Sequence, residues 1–311
     1  MIQLVFSAPD GVWDEYAPVL PGALAEAGLE AQIAQAGEVA PEAVDYIVFA
    51  PSGPIADFTP YTRARAALSL WAGVEQIVGN ETLTMPLARM VDPKMTEGMV
   101  QWVLGHTMRH HLGLDAHIVN PEGEWRFFVP PLPEDRVVTV LGLGALGAAC
   151  ARALAGAGFA VRGWSRGAKE IEGVACFSGD AGLRDALNGA QIIVTLLPAT
   201  PATENTLNTE TLGWLAQGSF VLNPGRGTLI DDAALLKALK SGRLAHATLD
   251  TFRDEPLPRD HPFWANPGVT VTAHTASATR PASAAQSIAQ NIRRAEAGEG
   301  LVGLVDRAAG Y

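Results

Sequence analysis

Three side chains in the last third of the chain could do chemistry together. Arg226 lies in Asn223-Pro224-Gly225-Arg226-Gly227, Glu255 in Asp254-Glu255-Pro256, and His274 in Thr272-Ala273-His274-Thr275. Arginine presents a planar fork that grips a carboxylate bidentately. Histidine titrates near roughly 6.5 in its ordinary state, so around neutral pH it can carry a proton and give it up. A glutamate beside it stabilises the imidazolium. This set suits reduction of a carbonyl next to a carboxylate, that is, a 2-oxo acid, where hydride must reach the carbonyl carbon and a proton its oxygen. Taken singly, each residue has a plainer reading as a salt-bridged arginine, a solvated glutamate and a satisfied core histidine. The set favours chemistry, because Arg226 and His274 each follow a strand-like run and so belong at the carboxyl end of a sheet, where ligands bind.

A hydride carrier is the other requirement. Val138-Thr139-Val140-Leu141 runs into Gly142-Leu143-Gly144-Ala145-Leu146-Gly147 and then into a helical pattern. In this dinucleotide-binding arrangement the first glycine permits the tight turn, the second lets a pyrophosphate approach the backbone, and the third lets helix and strand pack closely. The phosphates then rest on a helix N-terminus. An NAD-selective site would end the next strand in Asp or Glu to hold the ribose 2'-hydroxyl, whereas this strand ends Trp164-Ser165-Arg166. A serine and an arginine attract a 2'-phosphate, so NADP(H) is the expected cofactor and NAD(H) the alternative. The plainer reading of Arg166 is a solvated loop residue, and Lys169 can share or take its role.

These residues must be positioned by an alternation of strands and helices, which implies an α/β protein with parallel sheets. In the N-terminal part strands are expected near 2–6, 46–50 and 76–78, with helix around 14–27. A long helix is expected from Thr96, as N-cap, to about 118. From 136 onward strands are expected over 137–141, 160–164, 174–177, 191–196, 219–222, 245–249 and 269–271, with helices such as 145–157 and 231–241. A last helix covers 280–297, and the tail to Tyr311 has no strong signal. At 311 residues two domains are expected: a discontinuous substrate domain of residues 1–97 and 281–311, with the nucleotide domain of residues 98–280 inserted. Both are expected to be doubly wound and Rossmann-like. The segment 120–135 is a Pro- and Gly-rich loop carrying Trp125, Phe127 and Phe128. It either packs on its own domain or forms an arm that covers a partner subunit, and the arm is favoured.

Composition narrows the partners. The net charge is -11 with no run of Lys or Arg, which argues against nucleic acid. Cys150 and Cys176 are too few for a disulfide framework and fall in stretches that read as buried. The N-terminus reads as a strand and lacks a signal-peptide pattern. The apolar run 137–161 is interrupted by five glycines and reads as strand, turn and helix rather than as a membrane span. The expected setting is therefore cytoplasmic. His106 and His110 are spaced for one helix face, but no carboxylate completes a metal site, and the dipeptide His110-His111 suggests a surface or subunit face.

The runs 223–227, Leu249-Asp250-Thr251-Phe252, Glu255-Pro256 and His274 make the chain resemble the D-isomer-specific 2-hydroxyacid dehydrogenase family. Trp164-Ser165-Arg166, Glu255-Pro256-Leu257-Pro258, Thr279-Arg280-Pro281 and the terminal Val305-Asp306-Arg307-Ala308-Ala309-Gly310-Tyr311 resemble its NADPH-dependent branch acting on glyoxylate and hydroxypyruvate. The resemblance implies Arg226, Glu255 and His274 as the catalytic set, with Arg226 and His274 also touching substrate and cofactor. It implies backbone N–H groups of Ala72, Gly73 and Val74 on the substrate carboxylate and Asp250 on the nicotinamide amide. It adds Leu197, Pro198, Thr203, Pro224 and Gly225 to the cofactor contacts, and a homodimer with the long helix at its interface. Pro224 departs from the usual pattern and removes one N–H. Ala50 departs too, standing where that branch carries a tryptophan near the substrate, so a larger 2-hydroxy acid is one alternative. A nucleotide-sensing protein without turnover is another, against which the complete catalytic set argues.

Overall fold

In the computed structural model, which describes residues 1–311, the chain forms two compact units, Met1–Met95 with Thr279–Tyr311, and Thr96–Ala278. The first unit opens with β1 (Ile2–Ser7), α1 (Val12–Tyr16) and α2 (Leu20–Glu26). The single helix expected over 14–27 is thus two. Pro18 lies between them and supplies no N–H, whereas Pro21 sits in the first turn of α2, where none is needed. Then follow β2 (Ala31–Gln35), β3 (Tyr46–Phe49), β4 (Ala66–Ser69) and β5 (Leu87–Ala88). All pair in parallel in the order β2-β1-β3-β4-β5. β3 and β4 are buried at every residue, as interior strands of a sheet covered on both faces must be.

The strand expected over 76–78 is absent. Those residues form a turn in which the Val74 carbonyl accepts from both Ile77 and Val78, and Ile77 is buried all the same. A short apolar pair can enter a core from a turn as readily as from a strand.

The chain leaves this unit through α3 (Pro93–His111). The helix starts earlier than expected: Asp92 accepts the Lys94 N–H, and Pro93 occupies the first turn, so Thr96 is not the cap. Gly113, at φ +64, turns the chain out of α3 with Leu114 N–H on the Arg109 carbonyl. A short α4 (Asp115–Ile118) follows. His110 and His111 are not on the surface: they are 4% and 3% exposed. Beyond α4 the segment 120–132 has little packing of its own, with Trp125 97% and Phe127 85% exposed.

The second unit continues with β6 (Val137–Leu141), α5 (Ala145–Gly156), β7 (Ala160–Ser165), β8 (Val174–Ser178), α6 (Gly179–Leu187), β9 (Ile192–Thr195) and α7 (Thr209–Gly213). It is completed by β10 (Ser219–Asn223), α8 (Asp232–Lys240), β11 (Leu244–Leu249), α9 (Pro262–Ala265) and β12 (Val269–Val271). The seven strands are parallel in the order β12-β11-β10-β9-β6-β7-β8. The order reverses between β6 and β9, the switch point where a crevice opens at the carboxyl ends. Cys150 is buried in α5, and burial pushes its thiol up to about 12; Cys176, expected to be buried, is only half-buried on the edge strand β8. No helix is long and apolar enough to cross a membrane.

The chain closes in the first unit with α10 (Pro281–Glu296), whose Ala284, Ala285, Ile288, Ala289 and Ile292 bury one face beside α2. The tail is not free. Leu304 bridges Ala88, and the Arg307 guanidinium donates to the carbonyls of Val78, Asn80 and Leu83.

Candidate active site

All of the expected cofactor and catalytic residues of the second unit lie at or just beyond the carboxyl ends of parallel strands, and so on one edge of one sheet. Reading across it, His274 follows β12, Asp250 and Glu255 follow β11, Arg226 follows β10, Leu197 follows β9, the glycines follow β6, and Ser165 and Arg166 close β7. At about 4.8 Å per strand, β12 to β7 spans on the order of 24 Å, the scale of an extended dinucleotide with a small acid at one end.

The glycine turn fits a dinucleotide for reasons visible atom by atom. Gly142 has φ +101, and a Cβ there would stand 2.5 Å from the Leu196 carbonyl oxygen. A Cβ on Gly147 would stand 1.7 Å from the Gly142 oxygen. Both glycines are therefore demanded by the fold itself. Gly144 is different: its φ is -73 and a Cβ would meet nothing within 4 Å. Nothing in the protein requires glycine at 144, and open space lies before it at the N-terminus of the 12-residue α5, which no side chain caps. That is the arrangement a pyrophosphate needs. Ala145 is exposed and Leu146 half-buried beside it. At the end of β7, Ser165 donates to the Gly167 carbonyl in a turn that carries Arg166, with Lys169 exposed beyond. Leu197 is buried and Pro198 half-buried, and the Pro198 carbonyl accepts the Thr203 hydroxyl.

The catalytic candidates are held by polar contacts of their own loops. Asn223, 1% exposed, accepts from the Thr195 hydroxyl and the Gly225 N–H and donates to the Arg226 carbonyl at 3.0 Å. It fixes the bend through buried Pro224 and Gly225. Asp250, also 1% exposed, accepts from the Thr272 hydroxyl at 2.5 Å, the Thr275 N–H at 2.9 Å and the Ala276 N–H at 3.0 Å, and its carbonyl accepts the His274 N–H. Three donors on one carboxylate hold His274 at φ +54, a left-handed conformation that a bulky side chain adopts only when its surroundings impose it. His274 Nδ1 lies 2.7 Å from Glu255 Oε2, while Glu255 Oε1 accepts the Phe252 N–H at 2.9 Å. With Nδ1 on the glutamate, Nε2 is the ring nitrogen left to face a ligand.

The first unit carries its own candidate in the loop after β4. The Trp71 N–H is held by the Ser69 hydroxyl, and no protein acceptor meets the N–H groups of Ala72, Gly73 or Val74, although Val74 is buried. Three adjacent backbone donors without acceptors suit a carboxylate. Ala50, just past β3, is 2% exposed within the apolar core of its unit.

Comparison with known proteins identifies the family. Residues 102–276 match the model of the D-isomer specific 2-hydroxyacid dehydrogenase NAD binding domain. The chain belongs to the D-isomer-specific 2-hydroxyacid dehydrogenase family. Within that family it is 39% identical to a glyoxylate/hydroxypyruvate reductase A of Serratia proteamaculans, across 80% of this chain and 82% of that protein. A D-isomer specific 2-hydroxyacid dehydrogenase from Xanthobacter autotrophicus Py2, solved in complex with NADPH and MES, is 40% identical with a TM-score of 0.90 and 99% coverage of both chains. An NADPH-dependent glyoxylate/hydroxypyruvate reductase from Sinorhizobium meliloti, in complex with NADP and sulfate, is 31% identical with a TM-score of 0.86 over 100% of both chains.

Reading the residues alone missed two features of this family member. Asp250 shapes the His274 turn with its carboxylate, and Asn223 fixes the Arg226 bend. Both are buried polar residues at strand ends, which is the signal that could have marked them. His106 and His110 are not part of any group of three or more His, Cys, Asp or Glu side chains placed to hold a metal ion. Instead His110 stacks on Phe220 and bonds the Thr248 hydroxyl at 3.0 Å.

Proposed function

We propose that this protein reduces small 2-oxo acids with NADPH, glyoxylate to glycolate and hydroxypyruvate to D-glycerate. The observation that carries the reading is the 2.7 Å contact between His274 Nδ1 and Glu255, on the same sheet edge as Arg226 and the open space at Gly144. Residues around Gly142, Gly144 and Gly147 would hold the pyrophosphate, and Ser165, Arg166 and Lys169 the 2'-phosphate. NADPH when bound supplies the hydride.

The remaining work falls to the protein. Arg226 grips the substrate carboxylate and polarises the 2-oxo group with the second arm of its fork. In the first unit the amides of Ala72, Gly73 and Val74 are the proposed backbone donors to a carboxylate. His274 gives the proton from Nε2 to the oxygen that gains charge, and Glu255 holds the ring through Nδ1 and stabilises its charged form beforehand. Asp250 presents the ring at the correct angle and offers its remaining lone pairs to the cofactor's amide.

The proposed domain roles are those of the sequence reading: residues 1–97 with 281–311 form the substrate domain, and 98–280 form the cofactor domain, which also carries Arg226, Glu255 and His274. The proposed assembly is a homodimer, supported by the exposed apolar segment around Trp125 and Phe127, which a partner copy would cover. A cytoplasmic setting is supported by the two free thiols.

The test is a steady-state screen of 2-oxo acids with NADPH and with NADH. Glyoxylate and hydroxypyruvate with NADPH are expected to give the highest kcat/KM, and His274→Ala is expected to lower kcat by about 10²–10⁴-fold while NADPH still binds. Turnover by His274→Ala at the parent rate would remove the proton-donor assignment, and a better rate with NADH would remove the reading of Arg166.

A further inference from the structure

Phe252 and Leu257 rest the two ends of the Glu255 loop on the apolar core of the unit, and one polar side chain ties the stretch between them to its neighbours. Between residues 251 and 257 the backbone makes no hydrogen bond to any other segment; its one bond, Phe252 N–H to Glu255, is internal. Apart from the Glu255 carboxylate on His274, every polar contact that leaves this stretch comes from the Arg253 guanidinium. That fork reaches two other loops of the same unit. Nη2 donates to the Ile230 carbonyl at 2.7 Å, to the Thr228 carbonyl at 3.4 Å and to the Asn205 side-chain oxygen, while Nη1 meets Glu204 at 3.3 Å and Nε lies 3.9 Å from Asp232. Thr228 and Ile230 belong to the turn that follows Arg226. Asn205 is itself bound to that turn through its N–H on the Thr228 carbonyl, and it lies two residues past Thr203.

The packing beneath is equally close. A Cβ on Gly227 would stand 1.9 Å from the Phe252 carbonyl carbon and 2.3 Å from the Arg253 nitrogen, so the backbones of the Arg226 and Glu255 loops lie against each other. Van der Waals contact keeps the loops from approaching, and the arginine is the polar tie that opposes their parting. The Glu255–His274 pair is 35% and 54% exposed on its side chains, a setting in which an ion pair does not hold its own geometry.

We infer that Arg253 is a positioning residue for the reaction: it fastens the Glu255 loop to the Arg226 turn and so keeps Glu255 on His274. The inference rests on the proposed role of Glu255, and the experiment separates the two. Lysine cannot reproduce a fork shared between two carbonyls and an amide oxygen, so Arg253→Lys should be intermediate between parent and Arg253→Ala.

The test combines a double-mutant cycle with hydrogen exchange. Arg253→Ala is expected to lower kcat about tenfold or more, the effect of a displacement near 1 Å at a reacting group, with KM for NADPH within about twofold. In a Glu255→Gln background the same change should cost little further, because what it positions is gone. In the protein without cofactor, the Phe252 amide, the one hydrogen-bonded amide of this stretch, should exchange faster in Arg253→Ala while those of the sheet are unchanged. Fully multiplicative losses, or parent-like exchange at Phe252, would overturn the inference and leave Glu255 in place. A parent-like kcat in Glu255→Gln would instead sink the role of Glu255, and this inference with it.

Discussion

The glycine turn offers a prediction in which two neighbouring substitutions should fail in opposite ways. At Gly147 a methyl would stand 1.7 Å from the Gly142 oxygen and 2.9 Å from its carbonyl carbon. Restoring an ordinary contact near 3.5 Å means parting α5 from the turn by roughly 1.8 Å, an overpacking strain of about 1–3 kcal/mol. For a unit of this size each kcal/mol lowers Tm by roughly 2–4 °C, so Gly147→Ala should melt roughly 2–12 °C below the parent, with or without cofactor. At Gly144 the backbone is one any residue adopts and the methyl meets nothing. Losing a glycine at the N-cap costs about 0.5–1 kcal/mol, and stiffening the unfolded chain returns about 0.4–1 kcal/mol. Gly144→Ala should therefore melt within about 2 °C of the parent. Its methyl would occupy the space left for the pyrophosphate, so NADPH should bind about tenfold or more weakly, a loss of about 1.4 kcal/mol. Thermal melts of the protein without cofactor and a titration of NADPH fluorescence read the two quantities separately. Gly144→Ala binding NADPH like the parent would refute the placement of the pyrophosphate, and Gly147→Ala melting like the parent would refute the steric argument.

Other perturbations probe independent parts of the molecule. Arg166→Ala should reduce the preference for NADPH over NADH in kcat/KM by about tenfold or more, mainly through KM for NADPH; an unchanged ratio would leave Lys169 as the phosphate reader. His110 is held down to about 3, first by burial and then by the neighbouring His246 and Arg109. Its folded value lies below its unfolded one, so the folded protein is fully stable with it above about 6.5 and loses up to roughly 1.4 kcal/mol per pH unit below that. Urea melts should weaken from pH 7 to 5, and His110→Gln should flatten that slope; an equal slope would mean that His110 is protonated in the fold. For the assembly, the double variant Trp125→Asp with Phe127→Asp should sediment as a monomer where the parent sediments as a dimer, and a parent that is already monomeric would dismiss the arm.

How far the residues alone were legible depended on how local each signal was. The strands of the second unit stood out because interior parallel strands such as β9, Ile192–Thr195, are apolar on both faces. β2 escaped notice because an edge strand of sequence Ala31-Gln32-Ile33-Ala34-Gln35 has only one β-branched residue and half-exposed faces. The turn at 75–79 looked like a strand because periodicity cannot tell an apolar pair in a turn, here buried Ile77 and half-buried Val78, from a pair in a sheet. His110 and His111 looked like surface residues, yet their side chains stack edge or face on Phe159 and Phe220 from distant strands or loops.

Sequence by itself determined the chemistry that could be attempted: glycines spaced for a dinucleotide, an arginine for a carboxylate, a histidine and a glutamate for a proton. These are properties of residue types and short spacings, and they survive without coordinates. Tertiary structure decided what local pattern cannot hold. It brought residues 19 positions apart to 2.7 Å at His274 and Glu255, turned Asp250 onto the loop that presents the histidine, and ran Arg253 across to the turn beyond Arg226. Each of these is a contact between loops of different strands, and strand order is settled only when the whole sheet packs.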